Sequence, residues 1–364
     1  MTTAPRTLDE IDTPAAIIDL DLVRQNIRSL QTYLDGSTVH MRPHSKTHKT
    51  PQIALMQINA GAHGVTCAKV GEAEAMVAGG VNDILIANQI IGATKISRLC
   101  TLARRAKITV AVDDERNVHE LSQAATAYGV TLGVVIEIDV GMQRCGIAAG
   151  APALALARTI DTTTSLELIG LMGYEGHTVS ILDHSEREAA TRKALAPVIE
   201  TKSQCEEDGI QIHEVTGGAT NTFDITSQIE GWTELQCGSF ATMDVQFRPH
   251  AGHIFAQAFW ILASVVSQPS TNRAVLDTGR KSVAIEPGGL PLVEDPIGIE
   301  LTSLAEEHGR LTLDSNAPDL KLGQKLKVTP WHGCTTFNLH DTLYVLQDDE
   351  VVDIWPITAR GRST

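Results

Sequence analysis

Positive charge is scarce in this sequence. Lys and Arg number 29 against 44 Asp and Glu, a net charge of −15 at pH 7. That argues against nucleic acid and anionic membrane as main partners, because both need a basic face. An anionic cofactor stays open, since it needs only a local site. No apolar run approaches the ~20 residues of a membrane span. The first residues, MTTAPRTLDEIDTP, have no apolar signal core, so a cytoplasmic location is expected. CxxC pairs are missing from the six cysteines Cys67, Cys100, Cys145, Cys205, Cys237 and Cys334. A disulfide framework is therefore excluded, and most of them are expected to be small buried apolar residues. Low-complexity stretches and short-period repeats are also absent. With 43% apolar and 20% charged residues, wholesale disorder is excluded, and 364 residues suffice for one large domain or two.

What is present is a structural rhythm. Eight β-rich runs, at 39–44, 64–68, 83–88, 108–113, 132–140, 166–174, 212–218 and 233–239, alternate with segments of helical character. Several are continuously apolar (ILIAN, ITVAVD, LGVVIEIDV), as strands buried on both faces require. Helical spacing lies between them, as at Val70, Ala73, Met76 and Val77. Eight β–α units predict an α/β fold, a closed (β/α)8 TIM-type barrel. No GxGxxG follows the first run, which weighs against an open dinucleotide-binding sheet. A short strand, 15–19, and a helix with apolar Val23, Ile27, Leu30 and Leu34, stopped at Gly36, precede the barrel. After about residue 250 the rhythm changes to strands at 255–267, 273–277, 309–313, 325–328, 342–346 and 350–354. The expected division is a barrel over 14–250 and an all-β domain over 251–364, joined by the first 13 or so residues. The barrel mouth is then expected near a domain interface, a common place for a small-molecule site.

In such a barrel the functional side chains stand at the C-terminal ends of the strands. The first run exits into Arg42-Pro43-His44-Ser45-Lys46-Thr47-His48-Lys49. A lysine there can lose its proton to neighbouring positive charge and burial and attack a carbonyl; a solvated basic turn is the alternative. The fifth exits through Gly141 to Gly146 around Arg144, placed to reach a ligand oxygen. The sixth ends at Tyr174-Glu175-Gly176-His177, which can supply acid, base or positioning groups. The seventh and eighth end in Thr216-Gly217-Gly218-Ala219-Thr220 and Cys237-Gly238-Ser239, where bare N–H groups suit a phosphate. In the β domain, His332 and Cys334 stand two apart, so an extended strand would put both on one face, a pair suited to Zn²⁺ in an open site. A buried cysteine beside an ordinary histidine is the plainer reading. His340 is expected to be structural or at the surface, and Asp277 to Lys281 to form a charged turn or face the barrel mouth. An imine-forming lysine, a phosphate cradle and an open metal pair together point to pyridoxal phosphate.

The segments RPHSKTHK, GMQRCG, MGYEGH, VTGGATNTFD, ELQCGS and HGCTTFNLHD, in this order, resemble the D-threonine aldolase and D-serine dehydratase family of alanine-racemase-like pyridoxal phosphate enzymes. The resemblance runs from about Asp12 to Ile354 and implies a (β/α)8 barrel with a C-terminal β domain, usually as a homodimer with sites near the interface. It implies that Lys46 bonds the cofactor, that Arg144 contacts the ring region and that Tyr174 stands close to it. Thr216, Gly217, Gly218, Gly238 and Ser239 fall at the phosphate cradle, and His332 and Cys334 on the metal-binding pair. His44 and His48 flank the lysine without an assigned role.

The implied activity is a lyase acting on D-3-hydroxy-α-amino acids with pyridoxal phosphate and a divalent metal, Zn²⁺, Mn²⁺ or Mg²⁺. Two outcomes diverge from one complex. Loss of the hydroxyl proton breaks Cα–Cβ and gives glycine and an aldehyde. Loss of the Cα proton to Lys46 expels the hydroxyl and gives a 2-oxo acid and ammonia, as for D-serine or D-3-hydroxyaspartate. Family aldolases are expected to carry His-x-Asp at the metal pair and dehydratases His-x-Cys, so Cys334 leans toward dehydration. The motif set and compact length lean the other way, and the aldolase reading is placed first. An amino acid racemase and a non-catalytic pyridoxal phosphate carrier are the rivals; a racemase needs no metal pair, and a carrier no second domain.

Overall fold

A computed structural model describes residues 5–364 and divides the chain into two compact units. One unit comprises residues 30–46, 51–238 and 362–364; the other takes the described residues up to Ser29, residues 47–50 and residues 239–361.

In chain order the elements of the first part are β1 (Ala15–Asp19), α1 (Leu20–Leu34), β2 (His40–Met41), α2 (Pro51–Asn59), β3 (Val65–Cys67), α3 (Val70–Ala78), β4 (Asp83–Gln89), α4 (Ala93–Ala103) and β5 (Lys107–Val112). They continue through α5 (Glu115–Tyr128), β6 (Leu132–Ile138), α6 (Ala151–Asp161), β7 (Leu166–Gly173), α7 (His184–Glu207), β8 (Glu214–Gly217), α8 (Phe223–Thr226) and β9 (Glu234–Leu235). Strands β2 to β9 coincide with the eight apolar runs and form one parallel sheet, in the order β2-β9-β8-β7-β6-β5-β4-β3. The sheet curls until its ends meet. Ser45 N–H donates to Thr66 C=O at 2.8 Å, and Thr66 N–H to Pro43 C=O at 2.8 Å. The expected barrel is therefore observed. Its strands are buried almost throughout, and Leu85, Ala111, Val135 and Met172 from four neighbouring strands make one apolar cluster. Inside, Arg42 Nε donates to Glu234 Oε2 at 2.7 Å and Arg42 Nη1 to Asp83 Oδ1 at 2.5 Å. Glu234 Oε1 accepts from Thr216 Oγ1 at 2.8 Å, so this enclosed charge is paired and bonded rather than stranded.

The second unit is mostly strand: β10 (Phe259–Ser270), β11 (Arg273–Leu276), β12 (Leu292–Val293), β13 (Ile299–Leu304), β14 (Gly309–Leu313), β15 (Lys325–Thr329), β16 (Thr342–Gln347) and β17 (Glu350–Pro356), with short helices α9 (Arg248–Ala251) and α10 (Gly333–Phe337). The main path is β13-β14-β11-β10-β1-β16-β17, with β15 on β10 and β12 on β15.

Here the observed units run differently from a boundary at 250/251. Strand β1 does not lead into the barrel sheet. It lies antiparallel to β10 and parallel to β16, burying Ile17 with Leu262 and Leu346. Residues 239–250 also go with this unit. The reason is pairing: β1 finds its hydrogen-bond partners near residues 260 and 344, which no local pattern announces. Strand β13 was not expected either, although Ile299, Leu301 and Leu304 are buried beside exposed neighbours.

None of the six cysteines is in a disulfide; four are buried, with Cys145 and Cys334 partly exposed. No helix among the described residues is long and apolar enough to cross a membrane.

Gly170 faces Glu214 across the β7–β8 ladder, and a Cβ there would stand 1.8 Å from the Glu214 carbonyl oxygen. Gly170→Ala must part the two strands and is expected to cost about 3 kcal/mol. Thermal or denaturant unfolding checks this, and an unchanged midpoint would contradict the pairing.

Candidate functional site

The barrel unit holds two cations against one aromatic ring. Lys46 Nζ and Arg144 Cζ each lie 5.6 Å from the Tyr174 ring centroid, within the reach of cation–π attraction. Each is placed by its own backbone. The residues before Lys46 are held on both sides: His44 N–H donates to Cys237 C=O at 3.3 Å, and Ser45 N–H to Thr66 C=O. Lys46 N–H in turn points at His44 Nδ1, 3.4 Å away. The loop after β6 is tied down by Asp139, whose Oδ1 accepts N–H bonds from Gly141 (2.9 Å) and Gln143 (3.1 Å). At the loop's far end Gly146 N–H donates to Asp113 Oδ2 at 2.9 Å. The Tyr174 ring lies over Gly176, where any side chain would begin 2.4 Å from the ring. His177 is exposed, whereas Glu175 is enclosed.

The turn after β8 opens on two glycines, and the turn after β9 holds one, Gly238. Gly217 and Gly218 have φ of +159° and +81°, and a Cβ on Gly217 would meet the Gly173 carbonyl oxygen at 1.9 Å. Only glycine satisfies both demands. The Thr216 hydroxyl faces inward, donating to Glu234 and accepting from Gln236 Nε2 at 2.9 Å. Gln236 is a buried polar residue beside the cradle that sequence reasoning passed over. Thr220 and Gly238 follow in these two turns, and Thr220 is buried; Ser239, also buried, belongs to the other unit.

A phosphorylated aromatic aldehyde fits these groups. It needs an amine, a flat neighbour, positive charge and a glycine turn at a strand exit, and each is present in the barrel unit.

In the other unit the pair His332 and Cys334 comes together by a different route from the expected one. The chain is not an extended strand there. His332 is the N-cap of α10, with φ −134° and ψ 130°, and Cys334 lies inside that helix. The chain turns after Gly333, so alternation along a strand does not apply. What orients the histidine is Asp244, which sequence reasoning missed. Its Oδ2 accepts from His332 Nδ1 at 2.9 Å and from Gly333 N–H at 2.9 Å, and its Oδ1 accepts from Phe247 N–H at 3.1 Å. The Asp244 side chain is wholly buried. Burial opposes a charge on His332, but the attraction of Cys334 and Asp244 outweighs it, and the imidazole pKa is pushed up to about 11. This pocket draws positive charge. With Nδ1 committed to Asp244, Nε2 and the Cys334 sulfur make a borderline-to-soft donor set that fits a divalent transition metal. Cys334 Sγ also lies 3.4 Å from Thr47 Oγ1, in the same unit.

The remaining candidates are structural. His340 Nε2 bonds the Ser282 carbonyl at 2.6 Å, and burial lowers its pKa. Asp277 accepts from Thr13 Oγ1 at 2.5 Å and from Ser264 N–H at 2.8 Å, anchoring β10. His48 is buried and accepts from Thr50 N–H at 3.2 Å.

The chain resembles known proteins along nearly its whole length. Residues 18–245 match the family profile of the alanine racemase N-terminal domain, and residues 258–346 that of a serine dehydratase domain. The chain is 38% identical to a D-threonine aldolase from Arthrobacter sp. over 359 residues, 98% of this chain and 94% of that one. The crystal structure of D-threonine aldolase from Filomicrobium marinum covers 100% of both chains with a TM-score of 0.95 and 36% identity. A cysteine-to-alanine mutant of a D-threo-3-hydroxyaspartate dehydratase, described as metal-free, covers 96% of this chain and 98% of its own with a TM-score of 0.87 and 27% identity. The wild-type form of that enzyme comes from Delftia sp. HT23.

Asp244→Ala frees His332 to rotate and removes the nearby charge. Zn²⁺ affinity, measured by calorimetry on the purified protein, is expected to fall about 10- to 100-fold. Unchanged affinity would show that Asp244 does not orient a ligand.

Proposed function

We propose a reaction from the premise that this chain belongs to the alanine-racemase-like family of D-threonine aldolases and D-serine dehydratases. It is a pyridoxal phosphate-dependent lyase that cleaves D-3-hydroxy-α-amino acids between Cα and Cβ, giving glycine and an aldehyde. The observation that carries this reading is the Lys46–Tyr174–Arg144 cluster at the exits of β2, β7 and β6, in a chain alike to D-threonine aldolases along its whole length.

Lys46 would hold the cofactor's aldehyde carbon, with Tyr174 and Arg144 beside the ring. Gly217, Gly218 and Gly238, with Thr216 and Ser239, would offer the phosphate their backbone. When bound, pyridoxal phosphate supplies an electron sink for the pair left on Cα. The rest falls to the chain. The Lys46 amine, on a backbone fixed by two neighbouring strands, is the group able to take or return a proton at Cα. Arg144 adds positive charge beside the ring, where a guanidinium can reach a ligand oxygen. His332 Nε2 and Cys334 Sγ would hold a divalent metal, Zn²⁺ before Mn²⁺ or Mg²⁺ on donor softness, and a metal of this kind lowers the pKa of a bound hydroxyl. Asp244 keeps the His332 ring in the tautomer that ligation needs.

Cys334 favours the second reading, a dehydratase giving a 2-oxo acid and ammonia, because a sulfur ligand is the feature expected of that branch. We further place the enzyme in the cytoplasm as a homodimer without nucleic-acid or membrane partners; the net charge of −15 supports the last two.

Lys46→Ala is expected to remove both the ~420 nm absorbance of the lysine-bound cofactor and the turnover of D-threonine. A variant that kept full activity would overturn the assignment. A chelator is expected to abolish turnover while leaving that absorbance in place. Turnover that survived full metal removal would point to a racemase-like site instead.

A further inference from the structure

Glu175 is a buried acid that none of the chemistry above uses. It follows Tyr174 at the end of β7 and has no exposed surface. Its Oε1 accepts hydrogen bonds from Thr222 Oγ1 at 2.6 Å and Thr226 Oγ1 at 2.8 Å, while its equally enclosed Oε2 has no hydrogen-bond partner. Burial drives the carboxyl pKa up, and the threonine hydroxyls pull it back less. Burial therefore disfavours the charged form of this group.

Both threonines belong to the stretch that follows the β8 glycines. Thr222 Oγ1 also accepts the N–H of Ala219 at 3.1 Å, within the candidate cradle itself. The Glu175 backbone joins in: its carbonyl accepts from Thr178 N–H at 3.0 Å and from Thr178 Oγ1 at 2.9 Å. Asn221 Nδ2 reaches Thr178 Oγ1 at 3.4 Å, and the Asn221 carbonyl accepts from Arg187 Nε at 2.9 Å. The loop that carries Tyr174 and the turn that carries Gly217 and Gly218 thus share one buried network, and Glu175 is its hub. Packing alone does not call for an acid here, since an enclosed carboxyl costs free energy that an apolar residue would not.

We infer that Glu175 is a positioning residue for the cofactor's phosphate, fixing the Gly217–Thr222 turn against the Tyr174 loop without touching the cofactor. This rests on the pyridoxal phosphate reading above.

The test is titration of metal-free, cofactor-free protein with pyridoxal phosphate, followed by absorbance, together with the melting temperature of the same cofactor-free samples. Glu175→Gln keeps the acceptor for both threonines at the same size, and is expected to bind within about threefold of the unmodified protein. Glu175→Ala leaves both hydroxyls without their acceptor and is expected to bind at least about tenfold more weakly. Thr222→Val removes one leg of the network, leaves Glu175 in place, and is expected to weaken binding by about threefold to tenfold. It serves as the decisive variant if Glu175→Ala does not fold. Tight binding by Glu175→Ala or by Thr222→Val would overturn the inference. So would a Gln variant as weak as the Ala variant, or a fall in melting temperature with affinity unchanged. If the unmodified protein itself binds no pyridoxal phosphate, the cofactor reading fails first, and the two failures are told apart.

Discussion

The hydrogen bonds that close the barrel are the constraint on which the lysine depends. Strand β2 proper is only two residues long, yet the chain beyond it stays pinned through Ser45, with β9's extension on one side and β3 on the other. Lys46 is the next residue. A four-carbon side chain is flexible, so its amine is delivered reliably only from a rigid root. The bonds between Pro43, Ser45 and Thr66 that make the sheet a barrel are the bonds that make this root rigid. Beneath them, Arg42 joins β2 to β9 and β4 through Glu234 and Asp83, so the same short segment is also held by paired charge.

The electrostatics follow from local arrangement rather than total charge. A chain of net charge −15 gathers Lys46 and Arg144 around Tyr174. In the β-rich unit the opposite is built: Asp244, buried and fed by two backbone N–H groups, makes the His332–Cys334 pair a place that favours a cation. One arrangement suits an anionic cofactor and the other a metal ion, and a lyase on hydroxy amino acids uses both kinds.

Much of this was legible in the sequence, for physical reasons. Strands buried on both faces must be apolar without interruption, so β4, β5 and β6 announced themselves, and in the barrel they implied Lys46, Arg144 and Tyr174 stand at the exits of β2, β6 and β7. Glycines at Gly217 and Gly218 were equally plain, because the backbone there admits nothing else. What stayed hidden was non-local. The pairing of β1 with β10 and β16 joins residues more than two hundred positions apart. Asp244 carries no spacing signal and becomes meaningful only once His332 is seen to donate to it. The His332–Cys334 spacing suggested a strand face, but a five-residue helix is too short to show a period, and the N-cap geometry of His332 brings the pair together instead. Glu175 was noticed as a strand-exit acid; only its burial reveals that it braces rather than reacts.

The measurement that bears most directly on the account is the product of D-threonine turnover with pyridoxal phosphate and Zn²⁺ or Mn²⁺. Glycine and acetaldehyde are predicted, in equal amounts, and would show that a cysteine at the metal pair does not commit this chain to dehydration. Formation of 2-oxobutanoate and ammonia in their place would contradict the aldolase assignment and make the His332–Cys334 pair the determinant of which bond breaks.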